Sequence, residues 1–205
     1  MYDEIVPVYQ AAFAGDPWFE VSKCADKLQR CVGGLSALAI GNTCDLCNSC
    51  PSRPAYERSE LIERFEALAA SRPVAWYAER EANELTLAAI AWQASATTIA
   101  QEKYADVPAM GDWMSGQLGD KPLIWLDEVF ANRAVRMSGN LRRFGTMNRG
   151  FMEQLNNPTL AFRTKNKRMT AAAKRDFGDQ ATVFKRDKTV PDRRDFVIIK
   201  TNEDK

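Results

Sequence analysis

Residues 122–155 read PLIWLDEVFANRAVRMSGNLRRFGTMNRGFMEQL. Pro122 to Ala131 forms an apolar run, Leu123-Ile124-Trp125-Leu126 and then Val129-Phe130, broken only by Asp127 and Glu128. A run this short, rich in branched and aromatic residues, predicts a buried strand. A turn follows at Arg136-Met137-Ser138-Gly139-Asn140-Leu141. From Asn140 to Leu155 the spacing changes. Leu141, Phe144, Met147, Phe151 and Leu155 recur near one face of a helix.

On the N-terminal side, Val74 to Glu79 and Leu85 to Gln93 predict two strands separated by a polar turn at Arg80 to Asn83. Thr98 to Ala105 predicts a short helix. Gly111 to Asp120, with three glycines, predicts a loop. On the C-terminal side, Thr159 to Arg163 predicts a short strand. Met169 to Phe177 predicts a helix that Gly178 is placed to end. Ala181 to Lys185 and Phe196 to Thr201 predict closing strands, joined by the polar Asp187 to Arg194. Ahead of all this, Ile5 to Ala14, Trp18 to Arg30 and Ala55 to Ala70 predict helices. Gly33-Gly34 and Gly41-Asn42 mark turns around a cysteine-rich segment. The expected fold class is α/β, of the α+β kind, in one domain over 1–205 with a cysteine-rich insertion at 21–56.

Composition narrows the function classes. With 28 basic and 27 acidic residues the net charge is +1, which argues against electrostatic capture of nucleic acid or anionic lipid. The stretch Lys165 to Arg194 is rich in Lys and Arg, but acids are interspersed and a solvated face is expected there rather than a nucleic-acid partner. No apolar run reaches bilayer length, and the start, Met1-Tyr2-Asp3-Glu4, lacks the basic residues of a signal peptide. These features predict a protein of the cytoplasm with no membrane partner. There is no histidine, so a Ser-His-Asp triad, a Cys-His pair and a His-ligated metal are excluded, and a general base must be Asp, Glu, water or a less common group.

The five cysteines, Cys24, Cys31, Cys44, Cys47 and Cys50, all fall in the first quarter of the chain. An odd number cannot pair completely within one chain. Cys44-x-x-Cys47-x-x-Cys50 is a dense thiol run, and thiolates bind zinc tetrahedrally. The expected ligands are Cys24, Cys31, Cys44 and Cys47, with Cys50 spare or replacing one of them. On a continuous helix Cys24 and Cys31 would lie roughly 10 Å apart along the axis. The helix must therefore break between them, or only one of the two binds. Free thiols and an iron–sulfur site remain the alternatives, the latter lacking a local fourth cysteine.

The order helices, strand pair, central strand, helix, strand, helix, two strands resembles the GNAT superfamily of N-acetyltransferases. Val74 to Lys200 carries the resemblance, and Val6 to Glu20 is similar to the opening helix of several members. It implies a mixed, mostly antiparallel sheet flanked by helices. It also implies a coenzyme A turn of the pattern Q/R-x-x-G-x-G/A after the fourth strand, matched here by Arg136 and Gly139, with Leu141 in place of the final small residue. Such a turn suits pyrophosphate, because free N–H groups at a helix N-terminus attract anions and glycine permits close approach. The implied cofactor-binding residues are Val129, Phe130, Arg136, Met137, Ser138, Gly139, Asn140, Leu141 and Asn166. Glu128 is the implied base, and the acceptor is a small-molecule or protein amine; a homodimer is compatible. The family's acid tyrosine, four residues before the glycine that ends the later helix, is replaced by Lys174. A non-catalytic binding or scaffold protein of the same fold, with a structural zinc site, is the rival reading.

Overall fold

The computed structural model describes residues 2–14, 19–26, 35–37, 39–45, 47–131, 143–186 and 190–201. Cys31 and the whole turn from Arg136 through Met137, Ser138, Gly139 and Asn140 to Leu141 lie outside the described residues, as do Trp18 and Asp187. The chain divides into two compact units. One comprises Met1–Ala70, Glu79–Ala88 and Phe130–Arg136; the other comprises Ser71–Ala78, Ala89–Val129 and Met137–Lys205.

The first unit opens with helix α1, Tyr2–Ala14, which buries Ile5, Val6, Tyr9 and Ala12. Tyr9 is the centre of an aromatic cluster. Its ring lies 4.6 Å from Phe13, 5.1 Å from Tyr56, 5.9 Å from Phe65 and 5.1 Å from Phe130, centroid to centroid. Helix α2, Arg58–Ser71, contributes Leu61 and Phe65 to this core. Between the helices the chain departs from expectation. Ser22–Cys24 is a strand, β1, where a helix was expected from Trp18 to Arg30. It pairs antiparallel with β2, Ser52–Pro54, in the register Ser22↔Pro54, Lys23↔Arg53 and Cys24↔Ser52. The reason is non-local. Ser22 also bridges Ser36, so β1 satisfies its backbone groups on both edges, an option that local periodicity does not register.

Side chains reinforce the ribbon. Lys23 Nζ and Arg53 Nη1, from opposite strands, both reach Glu60 on α2 at 2.5 Å, and Arg53 also reaches Glu57 at 3.0 Å. Burial pushes the Glu60 carboxyl up, but the hydrogen bonds from Lys23 and Arg53 prevail and hold it below its ordinary value.

The second unit carries most of a six-stranded sheet of order β3-β4-β5-β6-β8-β7. Its strands are β3 Val74–Glu81, β4 Glu84–Ala94, β5 Leu123–Ala131, β6 Thr159–Thr164, β7 Ala181–Phe184 and β8 Asp195–Lys200. β3 and β4 meet at a two-residue turn, which only an antiparallel pair permits. Ladders β6–β8 and β7–β8 are antiparallel, and β5–β6 is parallel. The sheet is thus mixed and mostly antiparallel, flanked by helices, in keeping with the expected fold class.

Helices cover both faces of this sheet. On one lie α3, Ala96–Lys103, and α4, Ala109–Leu118. α4 stands where the glycines predicted a loop. Two interior glycines cost such a helix about 1 kcal/mol each. Met110 and Met114, one turn apart and both fully buried, offset that cost, and Gly119 ends the helix at φ 67°. Trp113 packs edge-on against Phe184 and Phe196 at 5.1 and 5.0 Å, so it is a packing residue here. On the other face lie α5, Phe144–Gln154, and α6, Lys167–Phe177. Phe144 meets Phe162 of β6, and Phe151 meets Tyr77 of β3. Gly178, at φ 55°, ends α6 as expected and donates its N–H to Lys174 O.

α5 and α6 touch where Gly145 N donates to Asp176 Oδ2 at 2.9 Å. A Cβ on residue 145 would stand 2.9 Å from the Asp176 Cβ, which explains the glycine. The hydrogen bond from Arg175, assisted by that from Gly145, holds the Asp176 carboxyl below its ordinary value. A depressed carboxyl stabilises the fold above its unfolded pKa and loses that contribution as pH falls through the folded pKa. Asp176→Asn should therefore cost about 1 kcal/mol near neutral pH. Denaturant melts of parent and variant should converge as pH drops through the carboxylate range.

The β3–β4 turn is strained in a different way. Ala82 and Asn83 sit at φ 49° and 68°. That is the two-residue hairpin geometry for which Asn-Gly is preferred, and alanine is costly there. Ala82→Asn combined with Asn83→Gly should raise stability by about 1 kcal/mol, seen as a higher melting temperature.

Candidate functional site

Among the described residues the candidate side chains fall into two groups, one in each unit. In the first unit Cys24, Cys44 and Cys47 are brought together, their sulfurs all within 4.8 Å of one another. β1 delivers Cys24 at its last residue. The segment before β2 delivers the others. There the chain doubles back, with a Thr43↔Pro51 bridge, a bond from Cys44 N to Cys50 O at 2.8 Å, and one from Ser52 N to Asn42 O at 2.7 Å. The tip of this hairpin is tightened by Asn48 N donating to Cys44 O at 2.9 Å, with Asn48 at φ 50°. Asparagine tolerates that left-handed region better than most residues.

The distances suit a metal. Cys24 Sγ lies 3.8 Å from Cys47 Sγ, far beyond the roughly 2.05 Å of a disulfide. Four sulfurs about 2.3 Å from a central zinc are separated along each edge of the tetrahedron by about 3.8 Å. Three close thiols could hold a metal ion, and Asp26 N donates to Cys24 Sγ at 3.4 Å. Of the four expected ligands the structure gathers three; the fourth, Cys31, is outside the described residues. Cys50 is half-buried beside them. Burial and the neighbouring Cys47 raise its thiol above the ordinary value.

In the second unit the candidate acids separate. Asp127 is on the α3–α4 face with Trp125, whose Nε1 donates to Asp127 Oδ1 at 3.2 Å. Lys103 Nζ, at the end of α3, lies 2.6 Å from Oδ1 and 2.8 Å from Oδ2. With Lys103 20% and Asp127 8% exposed, this is a nearly buried pair. Its surroundings are aromatic. Lys103 lies 5.7 Å from the Trp92 ring centre, Arg72 stacks on the same ring at 4.6 Å, and Arg163 stacks on Tyr104 at 4.6 Å. Burial holds the Tyr104 phenol protonated well above its ordinary range. Asp127 is thus engaged in packing the fold. The Lys103 partner was not legible in the sequence, because 24 positions separate the two residues.

Glu128 is half-buried, with one carboxylate oxygen fully enclosed. Strand alternation turns it to the face opposite Asp127. Val129 is half-buried. Phe130 is buried with its ring against Tyr9, so a ligand meeting it would meet its main chain. Asn166 caps α6, its Oδ1 accepting from Arg168 N at 2.9 Å, and is exposed. Lys174 is exposed on the same helix.

No protein-family model, no curated protein and no solved structure matches this chain. Among the described residues no helix is long and apolar enough to cross a membrane.

The separation of the two acids is testable. Asp127→Asn leaves Lys103 nearly buried without its counter-charge and should cost about 2–3 kcal/mol. Glu128→Gln should cost less than about 1 kcal/mol. Chemical denaturation of the two variants measures the difference.

Proposed function

We propose that the chain is an acyl-coenzyme A-dependent N-acyltransferase of the GNAT type, moving an acetyl group to a primary amine, with zinc held by cysteines of its first unit. The observation that carries this reading is the parallel pair β5–β6 and its crossover helix α5. In open sheets ligands bind beyond the carboxyl ends of parallel strands. The β5–β6 ladder covers Ile124↔Leu160 and Trp125↔Ala161, near the start of both strands, while β6 pairs with β8 along its whole length. Glu128 lies past that ladder, toward the carboxyl end of β5. The Arg136-x-x-Gly139 turn falls in sequence between the end of β5 and the start of α5, where a pyrophosphate-binding turn belongs.

Glu128 then takes a proton from the attacking ammonium, directly or through water, so that the amine nitrogen can add to the thioester carbonyl. The C–N bond forms as the C–S bond breaks. The nitrogen gives up its second proton as the tetrahedral adduct collapses to the neutral amide, and the departing thiolate takes up one proton, from that nitrogen, from solvent or from protonated Glu128. The absence of histidine fits a carboxylate in this role. The thiolate donor set and the tetrahedral spacing of two of its sulfurs support zinc as a structural ion, and reduced thiols suit the cytoplasm.

A second reading has its own observation. Lys174, at the position of the family's acid tyrosine, is exposed, as a solvated helix lysine would be. A chain of this fold that binds the cofactor without transferring the acyl group would look the same there. Calorimetry with acetyl-coenzyme A, paired with an assay for release of the free thiol, separates the two. Binding is expected for the parent and for Glu128→Gln, and not for Gly139→Asp, which places a side chain and a negative charge where phosphate should sit. Transfer should fall by roughly 10²–10⁴-fold in Glu128→Gln. Binding without turnover by the parent selects the second reading, and no binding by the parent rejects both.

A further inference from the structure

Resting on the zinc reading above, we infer that the metal centre of the first unit is a closed four-thiolate site made by Cys24, Cys44, Cys47 and Cys50, leaving Cys31 dispensable for the metal. The strand registers carry it. Thr43 is the partner of Pro51 across the doubled-back chain, so the next pair inward is Cys44 opposite Cys50, tied by Cys44 N donating to Cys50 O. Residues directly opposite in an antiparallel pair point to the same face, with Cβ atoms about 4.5–5.5 Å apart.

On its other edge the same strand pairs with β1, where Cys24 is opposite Ser52. The pairing continues through Ala25 N to Pro51 O at 2.9 Å. Cys50 and Ser52 are two positions apart and therefore share a face. Cys24 is thus the diagonal neighbour of Cys50 on that face, and Cys44 its direct neighbour. Three cysteines from three adjacent segments occupy one side of the ribbon. Cys47, at the hairpin tip, folds over to the same side, as its 3.8 Å contact with Cys24 requires. Cys50 itself is half-buried. Its sulfur falls outside the tight group of three, so metal binding must draw it in. The movement needed is that of one side chain across a strand pair already hydrogen-bonded at Cys44 and Cys50.

Four thiolates leave no open coordination position, which makes the site structural rather than catalytic. The centre would join β1, the doubled-back segment and β2, in a stretch whose described residues include few large buried apolar side chains.

Purified full-length chain, its zinc exchanged for cobalt, provides the test, with Cys50→Ser and Cys31→Ser alongside. The expected result is about one metal per chain in the parent and in Cys31→Ser, with the same sulfur-to-cobalt charge-transfer band. Cys50→Ser should lose about a quarter of that band's intensity and release zinc to a chelator more readily. Should Cys50→Ser fail to fold, alkylation of the native zinc-loaded parent followed by peptide mass mapping answers the same question. Labelling confined to Cys31 supports the inference. Labelling of Cys50 with protection of Cys31, or a reduced band in Cys31→Ser alone, overturns it while leaving the zinc reading intact. A parent that folds without metal removes the zinc reading itself.

Discussion

A strand covered by helices on both faces cannot be built from alternating residues, and β5 is not. Leu123, Ile124, Trp125 and Leu126 are each between 0 and 3% exposed. Each of them gains roughly 1.5–3 kcal/mol by leaving water. Trp125 meets Tyr104 after α3 and Phe196 of β8. The order in which α3, α4, α5 and α6 surround the sheet follows from the need to cover this strand on both sides. The parallel pairing with β6 follows too, since a crossover helix returns the chain in the same direction.

That burial also sorts the two acids at the end of the strand. A carboxylate taken out of water needs a counter-charge or several donors. Asp127 has both in Lys103 and the Trp125 indole. Having one acid fixed on the α3–α4 face leaves its neighbour on the other. A chemical role for either residue is thus a question of face, and the face is set by the pleat.

The first unit solves a different problem. Its aromatic cluster around Tyr9 packs α1 against α2, but the ribbon between them is short and polar. Glu60 clamps the two strands through Lys23 and Arg53. Partly exposed pairs of this kind contribute at most about 1 kcal/mol each. Thiolate–metal bonds would supply far more ordering free energy to so small a segment, and convergent thiols are where the ribbon invests its cysteines.

Much of the second unit was legible from residues alone. The strands at Val74, Leu85, Leu123, Thr159, Ala181 and Phe196, and the helix ending at Gly178, follow from apolar runs and local backbone preferences that act over a few residues. The thiol run Cys44-x-x-Cys47-x-x-Cys50 marked the segment from which Cys44 and Cys47 join Cys24 in a group that could hold a metal ion. Three things were beyond such reading. α4 exists because Met110 and Met114 find a buried site that outweighs the glycines beside them. β1 is extended because Ser36 and Ser52–Pro54, distant in sequence, offer it hydrogen bonds on both edges. The company kept by Cys24, and by Asp127, depends on partners 23 and 24 positions away. Sequence by itself determined which segments bury apolar surface and which residues can bind or titrate. Tertiary structure decided which of those residues meet, because strand register and helix packing are fixed by contacts between segments that no local pattern contains.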